Sequence, residues 1–212
     1  MRVLGNKTGS IDWNVVVMEL LEMVDAGKGK VRLVFDCTEP LVLYYGEIKE
    51  FSLKAPMEIG EQLYRTLYHE VLGKRVIKRA MFLLQRMDRT EAQLRNKLAE
   101  GSYPGELIEA AISYVKAYHY VDDARYAENY IRTYKESKSH GRLRRDLLQK
   151  GIEDSLIELA LEENDADQSE MIQRLLEKRH YFPETATQKD KQRMYRFLLG
   201  RGFSAGEIMR EL

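Results

Sequence analysis

Apolar positions fall into two regimes along the chain. Between Ile11 and Ala26, residues Ile11, Val15, Met18, Leu21 and Met23 recur at helical spacing with Glu19, Glu22 and Asp25 between them, which predicts a helix. Gly27 and Gly29 end that pattern. Val31, Leu33 and Phe35 then alternate with Arg32 and Val34, a break runs from Asp36 to Pro40, and Leu41 to Tyr45 forms a second β-rich run. Ile48, Phe51 and Leu53 suggest a third strand. Residues 1–56 are therefore expected to be a small α+β unit, a short hairpin or meander with a helix beside it. Three strands without cover are marginal, so this unit must lean on its helix or on the rest of the protein.

From Met57 onward no β pattern is visible, and the remainder reads as all-α. Helices are predicted near 58–72, 74–88, 91–100, 104–119, 123–136, 140–150, 153–163, 168–180, 188–200 and 205–211, with Pro104 and Pro183 where the periodicity breaks. Thr90 with Gln93 and Ser204 with Glu207 have capping-box spacing. Asp122 and Asp167 are expected N-caps, each contributing about 1 kcal/mol.

This helical part repeats itself. Aligning Gly101, Gly151 and Gly202 brings together Leu98, Leu148 and Leu199, and also Arg95, Arg145 and Arg196. Ile152 and Phe203 follow the second and third glycines, Ile157 matches Ile208, and Leu161 matches Leu212. In the first copy one extra residue near Tyr103 and Pro104 displaces Ile108 by one place. The period is about 50 residues, enough for three helices with a left-handed glycine ending the second. The expected architecture is mainly α: an elongated array of three tandem three-helix repeats behind the N-terminal unit. Expected boundaries are 57–120 for a linker helix and the first repeat, 121–165 for the second, and 166–212 for the third.

Composition narrows the functional classes. Lys+Arg and Asp+Glu both number 34, so no net field draws the whole chain to a polyanion or an anionic membrane. The single cysteine, Cys37, excludes an internal disulfide and points to a reducing compartment. The run Val15 to Met18 is too short for a signal-peptide core or a membrane span, so a cytoplasmic protein is expected. Gly27-Lys28-Gly29-Lys30 lacks the phosphate-loop spacing and reads as a turn. His69, His119, His140 and His180 have no ligand spacing, and Cys37 lacks a basic neighbourhood. Asp122 and Asp123 diverge by about 100° on a helix and read as the acidic start of one. No catalytic residue, metal or cofactor is expected.

Zero net charge conceals segregation. Basic residues concentrate over 74–97, 138–151 and 189–201, and an acidic stretch from Glu153 to Glu170 separates the last two clusters. Each cluster lies on the helix that ends at an aligned glycine, so stacking would set the cations along one edge able to follow a polyanion. Ordinary solvated helix faces with i, i+4 pairs give the same composition. The candidate contacts are Arg79, Arg86, Arg89, Arg95, Lys97, Arg142, Arg144, Arg145, Lys150 and Arg196. Among the 13 tyrosines, Tyr114, Tyr118, Tyr126, Tyr130 and Tyr134 recur at helical spacing, as packing residues do.

Three stretches resemble the RecX family of recombination regulators. They are Arg89-Thr90-Glu91 leading to Leu94 and Leu98, Tyr120-Val121-Asp122-Asp123 with Tyr126-Ala127, and Gly141 through Leu148 to Gly151-Ile152. His119 stands where that family usually has Gly, and Asp146 where Glu is common. The resemblance covers roughly 74–212. It implies a non-enzymatic, monomeric protein that binds the RecA recombinase filament on single-stranded DNA and inhibits its ATPase and strand exchange in DNA repair and the SOS response. Contact with the DNA itself would be weak and electrostatic. A helical-repeat interaction scaffold, or a helix-turn-helix-like DNA-binding protein without recombinase specificity, is the alternative.

Overall fold

The computed structural model describes residues 17–164 and 168–212, which form two compact units. Among the described residues, one comprises 17–83 with Arg95–Val115, the other Leu84–Leu94 with 116–164 and 168–212. The first repeat contributes residues to both.

The first unit is built on a four-stranded antiparallel sheet of order β3-β2-β1-β4: β1 Met18–Gly27, β2 Lys30–Phe35, β3 Leu41–Tyr44 and β4 Met57–Ile59. Lys28 and Gly29 both have positive φ between the paired residues Gly27 and Lys30, the two-residue hairpin geometry that matches strand twist. Met18, Leu20, Val31, Leu33, Leu41, Leu43 and Ile59 bury one face. Three expectations are corrected here. Residues 18–26 are strand rather than helix, because Met18 and Leu20 alternate inward while register shifts after Leu20 and Asp25 break the period-2 signal; residues 11–16 of the predicted helix lie outside the described residues. Residues Tyr45–Glu50 form helix α1 instead of a third strand, capped by a hydrogen bond from the Tyr44 N–H to Glu47 (2.8 Å). A β element does survive past Met57: β4 is too short to show alternation and is held by pairing with β1.

Helix α2 (Glu61–Arg65), a π-helical stretch (Thr66–Gly73) and α3 (Lys74–Arg86) run without interruption, in place of the two separate helices expected. Lys74 has αR dihedrals, and the glycine before it does not break the chain direction. Tyr64 meets Phe35 edge-on at 5.5 Å, and Arg75 donates to the Val42 carbonyl (3.1 Å) and to Glu47, so this helical run is fastened to the sheet.

The helices α4 (Glu91–Ala99), α5 (Gly105–Ala117), α6 (Asp123–Tyr134), α7 (His140–Gln149), α8 (Asp154–Glu163), α9 (Gln168–Glu177), α10 (Gln188–Gly200) and α11 (Ala205–Glu211) follow. Both expected capping boxes are present: Thr90 with Gln93, and Ser204 with Glu207. Asp122 caps α6 by accepting from the Arg125 N–H at 3.0 Å; Asp167 lies outside the described residues. The second repeat's core is Ala127, Ile131, Leu143, Leu147, Ile152 and Ile157, and the third's is Ile172, Leu176, Met194, Leu198, Phe203 and Ile208.

Those cores set a repeat register one residue away from the expected one. The left-handed residues that end the second helices are Ser102 (φ 57), Gly151 (φ 84) and Gly202 (φ 94). Leu98 therefore corresponds to Leu147 and Leu198, all fully buried, while Leu148 and Leu199 are 43% and 47% exposed. Ile108, Ile157 and Ile208 then fall into line with no extra residue. Likewise Arg95 corresponds to Arg144, not Arg145. Arg95 is paired with Glu109 (2.7 Å), and Arg144 with Asp154 and Glu158 (2.9 Å to the latter), bracing second helix to third in both repeats. In the third repeat the brace positions are Tyr195 and Met209.

Candidate polyanion interface

Successive repeats are joined in the same way twice. The Thr90 hydroxyl, which caps α4, donates to the Lys150 carbonyl (2.6 Å), and the Ser139 hydroxyl, which caps α7, donates to the Arg201 carbonyl (2.6 Å). Each accepting carbonyl immediately precedes a left-handed glycine. Beside these bonds, the first N–H of each capped helix reaches the next repeat's leading side chain: Glu91 N–H to Asp123 (2.9 Å), and His140 N–H to Gln168 (3.1 Å). Thr90 and Ser139 are buried, so both hydroxyls satisfy a cap and a neighbour in one place. The glycines are needed because the chains touch. A Cβ on Gly151 would overlap the Ala92 methyl, one on Gly141 would overlap the Gly202 carbonyl oxygen, and one on Gly202 would lie 2.9 Å from Ser139 Oγ. The third repeat's second helix is capped differently. Helix α10 starts a turn early at Thr187, and Asp190, inside its first turn, holds the place of Thr90 and Ser139.

At the joint of the second and third repeats a cleft of about 570 Å³ opens. Lys138, Arg142, Arg174, Lys178 and Arg201 line it with Glu136, Ser137, Ser139, Met171, Leu175 and Phe203. The cations are held by specific contacts. Lys138 donates to Asp146 (2.8 Å) and to the Tyr130 hydroxyl (2.7 Å) and lies 4.2 Å from the centre of the Tyr134 ring. Arg142 shares Asp146 (3.0 Å), Arg174 pairs with Glu170 (3.1 Å), and Arg201 lies over Phe197 at 4.6 Å. Five cations facing one cleft can take phosphate or carboxylate oxygens as charge-assisted acceptors.

Burial works to raise the Asp146 carboxyl, but hydrogen bonds from Lys138 and Tyr130 outweigh it and leave its pKa below the usual value of 3.8. Lys138 is in turn raised above 10.5 by Asp146 and Tyr130, against the opposing effect of burial. A depressed carboxyl contributes stability that is present above its unfolded pKa and lost as pH falls through the folded one. A raised ammonium contributes stability lost only on the alkaline side. The loss of Tm as pH drops below about 4 should therefore be shallower in Asp146→Asn than in the wild type, measured by thermal denaturation across pH 3–7. An equal acid slope in both would remove Asp146 from this role.

The residues singled out in the sequence are dispersed. Arg142 lies in the cleft, and Arg145 beside it donates to the Gly141 carbonyl (3.2 Å). Arg95 and Arg144 serve the braces, Lys97 binds Glu100 (2.8 Å), and Arg79 covers Phe82 at 5.5 Å. Arg86 is exposed on the last turn of α3, Arg89 is half-buried, and Arg196 is exposed on α10. Lys150 lies over Tyr126 and Tyr130 at the preceding joint. Tyr120 stacks on Tyr118, Ala127 and Ile152 are core residues, and Leu148 points outward. Arg174, on the third repeat's first helix, and Lys178, just past its end, were missed because they lie outside the basic clusters. Only the joint brings them to Lys138. Cys37 is exposed, and its thiol is pushed up to about 11 by burial and then by Asp36, so it stays protonated at neutral pH. Among the described residues no group of three or more His, Cys, Asp or Glu could hold a metal ion, and no helix is long and apolar enough to cross a membrane.

Tandem three-helix units locked cap to turn, with a cationic cleft between two of them, define a helical-repeat protein. The chain belongs to the RecX family of regulatory proteins: its first, second and third three-helix domains match residues 77–114, 122–161 and 166–212. It is 34% identical over 148 residues to the regulatory protein RecX of Vibrio campbellii, covering 69% of this chain and 94% of that one. The Clostridium acetobutylicum regulatory protein RecX is 32% identical over 147 residues, covering 63% of this chain and 67% of that one. The crystal structure of a regulatory protein RecX has the same fold, with TM-score 0.63 at 24% identity over 92% of this chain and 98% of that one.

Proposed function

We propose that this chain binds the RecA recombinase filament on single-stranded DNA and lowers its ATPase and strand-exchange activity, acting in the cytoplasm as a monomer during recombination, DNA repair and the SOS response. The observation that carries this reading is the unbroken series of three RecX domains through residues 77–212. The cationic lining of the cleft supports weak, electrostatic contact with the filament's DNA, in which Arg142 takes part. No reaction step is required of the protein, since occupying a filament changes its turnover through differential affinity for its states. The test is RecA ATPase on single-stranded DNA with the protein titrated in. Hydrolysis should fall progressively up to stoichiometric amounts, and an unchanged rate there overturns the reading.

A further inference from the structure

The two joints differ in a way that assigns the cleft a ligand. The shared bond from His140 to Gln168 and from Glu91 to Asp123 sets α9 in register with α6. In that register Arg174 replaces Asn129, Lys178 replaces Thr133, and Met171 and Leu175 replace Tyr126 and Tyr130; on the capped helix Arg142 replaces Gln93. At the earlier joint the tyrosine rings stand under Lys150, with Tyr126 and Tyr130 stacked at 6.5 Å. The later joint has exchanged that aromatic filling for three additional cations around an open cleft. These changes contribute nothing to the cap-to-turn lock, which is complete at both joints.

We infer that the cleft between the second and third repeats binds the phosphodiester backbone of single-stranded nucleic acid through Lys138, Arg142, Arg174, Lys178 and Arg201. Within the proposed function this names the chain's own DNA site, and DNA as the polyanion rests on that reading. An acidic protein segment is the less suitable occupant. Protein partners draw affinity from apolar anchors in desolvated pockets, whereas Phe203 is buried in the third core, Met171 and Leu175 are half-buried, and five cations outnumber the one carboxylate, Glu136, which lies 3.9 Å from Arg174. A sugar-phosphate chain needs only such donors and carries no demand for an apolar socket. Because Lys138 and Arg142 belong to the second repeat and Arg174, Lys178 and Arg201 to the third, one bound strand bridges the joint.

The test uses the full chain and a fluorescent dT20 oligonucleotide without recombinase. The variant is Arg174→Gln with Lys178→Gln, two exposed positions outside both core and lock; the control is Lys49→Gln with Lys54→Gln, which removes equal charge from exposed positions elsewhere. The slope of log K against log salt should become shallower by about 1.4 in the cleft variant, two phosphate contacts at about 0.7 each, and stay at the wild-type value in the control. An unchanged slope in the cleft variant, or an equal loss in the control, overturns the assignment. So does a poly-glutamate peptide that binds in a cleft-dependent manner where dT20 does not. RecA ATPase inhibition measured alongside separates the two readings. Wild-type protein that binds dT20 through the cleft yet leaves the ATPase unchanged retains the DNA site and loses the recombinase function. Wild-type protein that inhibits but shows no cleft-dependent slope does the reverse.

Discussion

Leu147→Ala lowers the unfolding free energy by about 2–5 kcal/mol, while Leu148→Ala changes it by no more than about 0.5 kcal/mol. Leu147 is fully buried among Ala127, Ile131, Leu143 and Ile157, so truncation loses its transfer free energy and leaves a cavity in a small core. Leu148 is one place along the same helix, 43% exposed, and has little to lose. The pair Leu198 and Leu199 should behave identically, because Leu198 is fully buried and Leu199 is 47% exposed. Urea unfolding of the four alanine variants measures this directly. If the second leucine of each pair costs more than the first, the repeat is in the register that aligns its glycines at 101, 151 and 202, and the one read from the left-handed residues is wrong.

The second large effect reverses a general rule. Gly→Ala inside a helix ordinarily stabilises by roughly 0.5–1 kcal/mol, because alanine restricts the unfolded chain more. At Gly141, in the first turn of α7, the added methyl would overlap the Gly202 carbonyl oxygen, which is backbone and cannot rotate away. Gly141→Ala should therefore destabilise by about 1–3 kcal/mol, as overpacking does, and push apart the Ser139 hydroxyl and Arg201 carbonyl. Gly206, in the first turn of α11, has nothing within 4 Å of an added Cβ and provides the contrast. Thermal unfolding should show Gly206→Ala raising Tm and Gly141→Ala lowering it. A rise in both would mean that the repeats do not meet as closely as the Gly141–Gly202 contact requires.

Helices were the easiest elements to read, because a buried stripe at period 3.6 survives substitution and caps such as Thr90, Asp122 and Ser204 announce their own starts. Strand β1 was misread for a local reason. Its register shifts move apolar residues off strict alternation, and Met18, Leu21 and Met23 then imitate a helical stripe. Strand β4 has three residues and no pattern to detect. The repeat was visible, but glycine was a poor marker of its phase, since Ser102 takes the left-handed position in the first copy while Gly101 stands one place before it. The cleft was hidden more deeply. Arg174 and Lys178 follow an acidic stretch, and Lys138 and Arg201 are separated by more than a full repeat; a long-range lock such as Ser139 to Arg201 has no signature in local spacing.

Helix α10 begins one turn sooner than its two counterparts, so Asp190 lies within the spiral where a hydroxyl would otherwise greet another module. A second molecule offering a glycine turn there would find a carboxylate and backbone amides already spoken for by Thr187. A further glycine turn could dock on α10 in the manner of the two internal joints only by first displacing that reciprocal cap.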